Sequence, residues 1–521
     1  MKKLITLLLT LCLMTSVLCV PALAADVSPD TVIRVSALKT DGTKTVIGDY
    51  AGYAGGWEAA ATHALPSNME ENQYDRIIVD FYANWNANDA HKFGNGSNGF
   101  RWDTIAVPSN AKMTINLNGH TINRGITKSE INGEVIYIGS GADVIINDGT
   151  ITGGSSTTGA GGIHISSKAS VTLNKVNVMK NSAMVDDGAG ISVNGKATLV
   201  MNEGCISDNV LWDGSSDYNH PYGALYVEDS TVILNKVTLS NNLTTDGCAQ
   251  GVAIYADDST VLMNDCVVSG NAVASDEHSD AKSVIAAYDS EISILNTKFI
   301  GNASYEVTGG EADGYDNALL FYLEDSTLTM EGGEITENNP RELFYVYDSN
   351  AEIKNVVITR NCSRVIFVDN GGEHVHMISC LIGDNTPTTD MAQIRVEEEG
   401  TLTLTDCSLS DVTFQNKEMI KIEGFSGITP DTQPESEKVT ETEPESETET
   451  KTETETAPML TPGDGYYKWS LWPTGSMVGE GSLIVVVSLA SLVTALASMG
   501  MCVSMNKKLA ALSGSSEKDD E

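Results

Sequence analysis

Three polar segments of the sequence gather the residue types that suit carbohydrate binding. They span 210–223, 272–282 and 303–317, and they mix aromatic rings with carboxylates. Aromatic faces can stack on sugar rings, while carboxylates can accept hydrogen bonds from hydroxyl groups or coordinate Ca²⁺, the only cofactor that these segments suggest. The alternative is that they are solvated loops of an acidic protein. The candidate ligand-binding residues are Trp212, Asp213, Asp217, Tyr218, Tyr222, Tyr305, Glu311, Asp313 and Tyr315.

Two arginines form a second candidate binding site. Arg341 and Arg364 each follow an asparagine by three residues, and no long segment separates their two repeat units. If they stack on neighbouring strands, ~4.8 Å apart, their like charges would be relieved by a carboxylate that accepts paired hydrogen bonds. That carboxylate is either internal, from Glu342 or Asp316, or it belongs to an acidic sugar or a partner protein.

A repeat organises the chain around these segments. Each unit opens with an anchor residue, which is small in ten of eleven units, and residues two, four and nine positions later are apolar in nearly every unit. Alternation with a period of two predicts short strands with one buried face. A third strand precedes the anchor, as at 162–166. The anchors are Ala111, Ala142, Ala169, Ala197, Ser230, Ser259, Ser290, Ser326, Ser349, Glu373 and Gly400.

An asparagine recurs twelve positions after the anchor in eight consecutive units. Asparagine is a poor strand residue and a good corner residue, so its recurrence inside a strand repeat needs a reason. Stacked on successive coils, each side-chain amide can donate to the next, which predicts a hydrogen-bonded ladder. The residues are Asn181, Asn209, Asn242, Asn271, Asn302, Asn338, Asn361 and Asn385.

The segments "MTINLNGHTINRG" (113–125) and "ADVIINDGTITGG" (142–154) resemble coils of the right-handed parallel β-helix of the pectate-lyase-like superfamily. The resemblance implies an all-β solenoid over 105–426 with an N-terminal cap over 25–104. A leucine-rich repeat is the rival fold, but the polar segments after each asparagine do not supply its second apolar face. Enzymes of the superfamily carry further motifs, and this chain has the pairs Asp186-Asp187 and Asp257-Asp258 without a G-H-G or R-I-K segment. We therefore assign no catalytic residue and no metal site.

The two ends of the chain predict a membrane-anchored surface protein. Residues 1–24 have the charged start, apolar run and small-residue cleavage site of a signal peptide. Residues 427–482 contain a Glu/Thr-rich stretch that we expect to be disordered and extended. The apolar run 483–503 is long enough for one transmembrane helix, and the lysines after it place the tail 504–521 in the cytoplasm.

The composition narrows the function classes. The net charge is −40, which argues against nucleic-acid binding, because nucleic-acid binders are basic. The expected function is adhesin-like binding of an extracellular glycan or a neighbouring cell surface by a monomer. The alternatives are a polysaccharide lyase or glycoside hydrolase, and a spacer without a ligand. The cysteine spacings also allow one or two disulfides, between Cys248 and Cys266 or between Cys362 and Cys380.

Overall fold

The structure is a computed structural model that describes residues 28–86, 105–129, 131–184, 187–211, 223–244, 250–275, 282–306, 318–369, 374–387, 392–397 and 400–424. These residues belong to one compact unit. The predicted signal peptide, acidic linker, membrane helix and cytoplasmic tail lie outside the described residues. Within the described residues, no helix combines the length and the apolar character needed to span a bilayer.

The described residues form three sheets, with strands numbered in chain order. Sheet A contains β1 (Ile33–Lys39), β2 (Lys44–Tyr50), β3 (Tyr74–Phe81), β4 (Trp85–Asn86), β6 (Lys112–Asn116), β7 (Thr121–Asn123), β9 (Asp143–Thr152), β12 (Ser170–Met179), β15 (Thr198–Ser207), β18 (Thr231–Asn235), β19 (Thr238–Ser240), β22 (Thr260–Asn264), β23 (Val267–Ser269), β26 (Glu291–Leu295), β27 (Lys298–Ile300), β30 (Thr327–Glu331), β31 (Glu334–Thr336), β33 (Asn350–Lys354), β34 (Val357–Thr359), β36 (His374–Ile378), β37 (Leu381–Gly383), β39 (Leu402–Thr405), β40 (Ser408–Leu409) and β42 (Ile420–Glu423).

Two smaller sheets complete each coil. Sheet B contains β5 (Ile105–Val107), β8 (Ile136–Ile138), β11 (Ile163–Ile165), β14 (Ile191–Asn194), β17 (Leu225–Glu228), β21 (Ile254–Asp257), β25 (Lys282–Tyr288), β29 (Ala318–Glu324), β32 (Glu342–Tyr347), β35 (Arg364–Asp369), β38 (Ile394–Val396) and β41 (Phe414–Gln415). Sheet C contains β10 (Ser155–Ser156), β13 (Ser182–Ala183), β16 (Val210–Leu211), β20 (Leu243–Thr244), β24 (Ala272–Ser275) and β28 (Ala303–Glu306). The helices are α1 (Tyr53–His63), α2 (Pro66–Glu71) and a 3₁₀ turn, Lys417–Met419.

The repeat units stack as a parallel β-solenoid. Equivalent residues pair from coil to coil, so Val171, Leu199 and Val232 lie directly above one another in sheet A. Their side chains and the apolar residues at positions four and nine form one continuous buried core. This confirms the predicted reason for the constant spacing, because a one-residue slip would turn each strand's apolar side chains outward.

Left-handed residues form the corners of each coil. One stands just before the anchor, one six positions after it and one just before the ladder asparagine; in the coil that begins at Ser230 these are Asp229, Lys236 and Asn241. Their φ angles are 46°, 56° and 55°. Aspartate, asparagine and glycine recur at these corners because they tolerate this conformation better than other residues do. The corners turn the chain sharply enough for successive strands to face one core.

The eight ladder asparagines form the predicted chain of hydrogen bonds. Asn242 Nδ2 donates to Asn271 Oδ1 at 2.9 Å, and Asn271 Nδ2 donates to Asn302 Oδ1 at 2.9 Å. The ladder also holds the backbone, because Asn271 Nδ2 reaches Leu239 O and Asn271 Oδ1 accepts the backbone N–H of Asn242. All eight side chains are buried. The amides therefore satisfy buried backbone groups at the corner as well as one another.

A second asparagine ladder, which the sequence reasoning missed, runs along a different corner. Its members stand five positions after the anchor, where the side chains are half-buried. Each Nδ2 donates to the Oδ1 of the preceding coil at 2.8–2.9 Å. The stack ends where Leu295 takes the equivalent position. This outer ladder consists of Asn116, Asn147, Asn174, Asn202, Asn235 and Asn264.

The anchors are small for a similar reason. The backbone N–H of Ser230 donates to Ser259 Oγ at 3.1 Å, and that of Ser259 donates to Ser290 Oγ at 2.9 Å. Ser259 Oγ in turn donates to Asp257 O. A serine at this position thus bridges its own coil to the preceding one, and a larger side chain would have to displace the adjacent coil.

The N-terminal residues cover the first coil. β1 pairs with β2 and β3 in antiparallel fashion, and β3 begins the parallel stack by pairing with β6. Helix α1 lies in this cap. Its Trp57 is buried and donates from Nε1 to Ala106 O in β5 at 3.1 Å. Helix α1 thereby ties the cap to sheet B and hides the apolar end of the core.

Sheet C was not anticipated. The segments interpreted as loops from 272 and from 303 begin as strands β24 and β28, which pair from Ala272 and Ala303 onward.

The disulfides that the cysteine spacing allowed do not form in this structure where both partners are described. Cys266, Cys362 and Cys380 are free thiols, and Cys362 is exposed where Cys380 is buried. Cys248 lies outside the described residues.

Candidate ligand-binding face

The predicted loop residues fall largely outside the described part of the chain. Tyr305 lies in β28, where only its backbone is described. The remaining eight, which lie within 212–222 and 307–317, are outside it: Trp212, Asp213, Asp217, Tyr218, Tyr222, Glu311, Asp313 and Tyr315. Their role in binding stays a prediction.

The points at which these loops join the solenoid are described, and they lie side by side. Leu211 at the end of β16 pairs with Thr244 at the end of β20. Ser275 at the end of β24 pairs with Glu306 at the end of β28. After each loop the chain enters sheet B, at β17, β21, β25 or β29, and these four strands are neighbours. The loops therefore start from one corner of the solenoid, between sheets C and B.

The two candidate arginines do not stack on each other, because the register shifts by one residue between the ladder and sheet B. Arg364 pairs instead with Glu342. Arg364 Nη1 donates to Glu342 Oε1 at 3.1 Å, and its Nε donates to Ala392 O at 3.1 Å. Arg341 Nε lies 3.3 Å from the same Glu342 oxygen. Glu342 is therefore an internal carboxylate that contacts both arginines. The other internal candidate, Asp316, lies outside the described residues.

The arginine site is closed on one side and open on the other. The side chains of Arg364 and Glu342 are 2% and 4% exposed, whereas that of Arg341 is 26% exposed. Burial raises the pKa of Glu342 and lowers the pKa of Arg364, and their mutual attraction opposes both shifts. A second carboxylate could reach Arg341 without disturbing this buried pair. Both arginines contact Glu342, and Arg341 is the stronger candidate for contact with a ligand because its side chain is the more exposed.

The outer face of sheet B carries a column of aromatic residues. Tyr226 pairs with Tyr255, and Tyr322 pairs with Tyr345. Alternation along the strands places these side chains opposite the core. Successive tyrosine rings contact each other with centroids 5.4–5.5 Å apart, and the ring of Tyr288 is tilted against those of both its neighbours. This tyrosine column comprises Tyr226, Tyr255, Tyr288, Tyr322, Tyr345 and, at its end, Phe367.

The stacking determines what the tyrosine column can offer to a ligand. Tyr226 and Tyr255 are nearly parallel, with an interplanar angle of 9°, and Tyr322 and Tyr345 with 15°. Ring faces within the column therefore contact other rings, so they are not platforms for sugar rings. The ring edges and hydroxyl groups of the tyrosines are the parts that a ligand could contact. Tyr322 and Tyr345 are half-buried, and burial raises the pKa of both hydroxyls, which keeps them protonated donors.

Acidic residues stand beside the tyrosine column on four strands of sheet B. Glu228 pairs with Asp257, and Glu324 and Asp369 follow in the same register, with Tyr288 and Tyr347 taking this position on the two strands between. Tyr322 Oη donates to Glu324 Oε2 at 2.6 Å, and Tyr345 Oη donates to Asp369 Oδ2 at 2.6 Å. An ionised carboxylate has about four acceptor positions, so each retains capacity for further donors. The described part of this face thus presents two carboxylates that each accept from a tyrosine hydroxyl.

A polar cluster lies near the start of this face. A β-carbon placed on Gly159 would lie 3.6 Å from His164 Nδ1 and 3.9 Å from both Asp187 Oδ2 and Glu134 Oε2. His164 stacks on Tyr137 with ring centroids 5.2 Å apart. Because glycine has no side chain, the three polar groups surround a small space. We call these residues the Gly159 cluster.

The carboxyl of Asp187 in this cluster has a raised pKa. Burial raises the pKa of Asp187 to about 7, with hydrogen bonds from Ser192 and Asn194 opposing the shift and the carboxylates of Glu134 and Glu228 adding to it. Ser192 Oγ lies 2.5 Å from Asp187 Oδ1. A carboxyl that is partly protonated near neutral pH can donate a proton, and such groups are concentrated at functional sites.

The sequence contained a signal for the tyrosine column. Four of its tyrosines stand four positions before an anchor: Tyr226, Tyr255, Tyr322 and Tyr345. Three of the acidic residues beside it stand two positions before the anchors, at Glu228, Asp257 and Glu324. The Gly159 cluster had no such signal, because Glu134, Gly159 and Asp187 come from three successive coils and share no residue type.

Comparison of the chain with protein families, with curated proteins and with solved structures returns no match. Among the described residues, no group of three or more His, Cys, Asp or Glu side chains is arranged to hold a metal ion. The evidence for function therefore comes from the geometry of sheet B and the corner beside it.

Proposed function

We propose that this chain is a membrane-anchored right-handed parallel β-helix protein of the pectate-lyase-like type that binds extracellular glycan through the outer face of sheet B. The hand rests on the strong preference of parallel crossover connections for the right-handed sense. Export rests on the signal peptide predicted over 1–24, and the anchoring rests on the apolar segment 483–503. The ligand is a polysaccharide or the glycan coat of a neighbouring cell.

The observation that carries the proposal is the set of carboxylates beside the tyrosine column on the outer face of sheet B. Tyr322 donates to Glu324 of its own strand, and Tyr345 donates to Asp369 of the next strand, so two tyrosines on neighbouring coils are each bonded to a carboxylate. A linear polysaccharide also repeats its hydroxyl groups at a fixed interval. A chain lying along the solenoid axis could therefore donate hydrogen bonds to carboxylates on several coils, and weak contacts would add up.

The neighbouring corner supports the same ligand. The predicted loops join the solenoid beside sheet B. Trp212, Tyr218 and Tyr315 could supply the stacking faces that the column lacks. Arg341, with its partly exposed guanidinium, could bind the carboxylate of an acidic sugar.

Glycan-array binding by the detergent-solubilised full chain tests the proposal. Glu324→Gln removes one charged acceptor from the face, so we expect weaker binding by about tenfold. Glu331→Gln is the matched control, because Glu331 is exposed on the outer face of sheet A. Equal binding by wild type and by both variants would contradict a site on sheet B. An absence of binding by the wild type to any glycan would instead favour a spacer.

A polysaccharide-cleaving enzyme is the second candidate, and the Gly159 cluster is the observation that favours it. Asp187 could act as a general acid, with Glu134 and His164 beside it. Incubation of the protein with a polysaccharide panel would show new reducing or unsaturated ends if this holds. Asp187→Asn should then abolish cleavage while leaving retention on the same polysaccharide intact.

A further inference from the structure

Two buried cysteines occupy the same place in neighbouring coils at the C-terminal end of the solenoid. Cys380 and Cys407 each stand seven positions after their anchors, and Leu381 and Ser408, which follow them, pair directly. The backbone N–H of Ser408 donates to Cys380 O at 2.8 Å. The two cysteines are therefore strand neighbours, ~4.8 Å apart at their α-carbons. That separation lies within the range that disulfides span.

The two thiols also point in the same direction. Cys380 Sγ contacts Ile353 O and Cys407 Sγ contacts Met377 O, at 3.4 and 3.3 Å, and these carbonyls belong to residues that pair with each other. Both side chains are almost fully buried, at 1% and 6% exposure. Each sulfur could reach the other by rotating about one side-chain bond, at the cost of a weak S–H···O contact.

We propose that Cys380 and Cys407 form a disulfide that links the last coils of the solenoid. The inference does not depend on the identity of the glycan. It follows from the register of β37 and β40 and from the equivalent placement of the two sulfurs. The pairing differs from those suggested by spacing alone, because Cys362, the earlier candidate partner of Cys380, is exposed on another part of its coil.

The position of the pair indicates which sulfur reacts first. The thiolate is the reactive form of a cysteine, and a thiol must reach solvent to ionise and meet an oxidant. Cys407 is the more exposed of the two, at 6% against 1%. It lies in the last coil before the described chain ends at Gly424. Local opening of that terminal coil would admit an oxidant.

The exchange is balanced with oxidised glutathione as the oxidant. The Cys407 thiolate attacks one glutathione sulfur, and the other glutathione leaves as a thiolate with the electron pair of the broken S–S bond. The Cys380 thiol then loses its proton and attacks Cys407 Sγ, releasing the second glutathione thiolate. Two protein thiols are oxidised to one disulfide, two protons are released, and one glutathione disulfide is reduced.

The chain contains a matched control for this pair. Cys266 also stands seven positions after its anchor and is buried, but its neighbours in register are Val237 and Thr297. Burial raises the pKa of the Cys266 thiol to about 11. Valine occupies the same position in three other coils, at Val176, Val237 and Val356. Replacement of any of the three cysteines by valine is therefore compatible with the fold.

The experiment is peptide mapping of the full chain after incubation with oxidised glutathione. We expect a peptide pair linked through Cys380 and Cys407, with Cys266 remaining free to alkylate once the protein is denatured. Exposed Cys362 reports whether the oxidant acted, because it should become glutathionylated. Alkylation of both Cys380 and Cys407 in a sample whose Cys362 is glutathionylated would overturn the proposal.

Thermal unfolding with and without reductant gives a second readout. The disulfide would close a loop between the coils, so reductant should lower the Tm of the oxidised wild type by roughly 5 °C. Cys266→Val should keep this reductant effect, whereas Cys380→Val and Cys407→Val should each lose it. An equal effect of reductant on all four proteins would show that the pair does not link the coils.

Discussion

The interior asparagine ladder and the tyrosine column of sheet B are both stacks of one residue type on successive coils, but their polar atoms have different partners. Each ladder amide is buried and bonded to the neighbouring amide and to backbone groups. The tyrosine rings contact one another, and the hydroxyls of Tyr322 and Tyr345 each donate to a carboxylate that keeps further acceptor positions. The hydroxyl of Tyr288 donates to Gln250 Oε1. The ladder completes the fold, whereas the column leaves polar groups at the surface.

The contrast shows how a repeated residue in a solenoid can be interpreted. Repetition by itself only means that the residue stacks well on itself. A structural stack differs from a binding face in that its donors and acceptors are hydrogen-bonded within the fold. By this criterion the interior ladder is structural, whereas the carboxylates beside the tyrosine column keep acceptor positions for a ligand.

The largest expected effect is on the interior ladder. Asn271→Ala removes an amide that bonds Asn302, Leu239 O and the backbone of Asn242. Several buried groups would lose their partners, so the free energy of unfolding should fall by about 3 kcal/mol. Urea denaturation followed by circular dichroism measures this. The control is Ser269→Ala in the adjacent strand, and equal midpoints for the two variants would contradict a structural role for the ladder.

Asp187 gives the next effect, which depends on pH. Its pKa is about 7 in the folded protein and near 3.8 in the unfolded chain. Because the folded value is the higher one, the stability from this group is present below about pH 4 and is lost as the pH rises towards 7. Partial exposure screens the group, so we expect a loss of about 1–2 kcal/mol relative to Asp187→Asn. Parallel pH dependence in urea melts of the two proteins would contradict the raised pKa.

Removing a ring from the tyrosine column should have a smaller effect. Tyr322 stacks on Tyr288 and Tyr345. Tyr322→Leu keeps apolar volume but loses both ring contacts, and we expect a loss of about 1 kcal/mol in unfolding free energy. Tyr322→Phe keeps the stack and should be nearly as stable as the wild type. A large destabilisation by Tyr322→Phe would place the column with the structural stacks and weaken the binding proposal.

The smallest effect is expected on the outer ladder. Asn264 donates to Asn235 from a half-buried position where water can replace the lost bond. Asn264→Ala should therefore lower the unfolding free energy by only about 0.5 kcal/mol. The comparison with Asn271→Ala holds residue type and coil constant and changes only burial. If the two variants lose equal stability, burial is not what separates the two ladders.

Much of the fold could be predicted because the solenoid repeats each local signal many times. One apolar pair at positions two and four is ambiguous, but the same pair in successive units predicts stacked strands. The interior ladder was found for the same reason. The prediction was weaker for sheet C, because β10, β13 and β16 have two residues each and leave almost no periodic pattern.

The candidate site was only partly predictable. The tyrosine column has a fixed place before the anchors and could have been found in the sequence. Arg341 and Arg364 occupy equivalent places after their anchors, yet a one-residue shift of register places Glu342 opposite Arg364. Spacing cannot reveal such a shift. The Gly159 cluster depends on side chains from separate coils meeting around a missing β-carbon, and no local pattern encodes that meeting.

The two asparagine ladders run in opposite directions along the solenoid. In the interior ladder each N–H points to the following coil, as from Asn242 to Asn271, whereas in the outer ladder it points to the preceding coil, as from Asn264 to Asn235. Each row of aligned amides is a row of aligned dipoles, which reinforce one another within the row. Since the rows are antiparallel, their dipole moments oppose each other where both are present. The solenoid gains the polarised hydrogen bonds of both rows without the full axial dipole that parallel rows would have summed to.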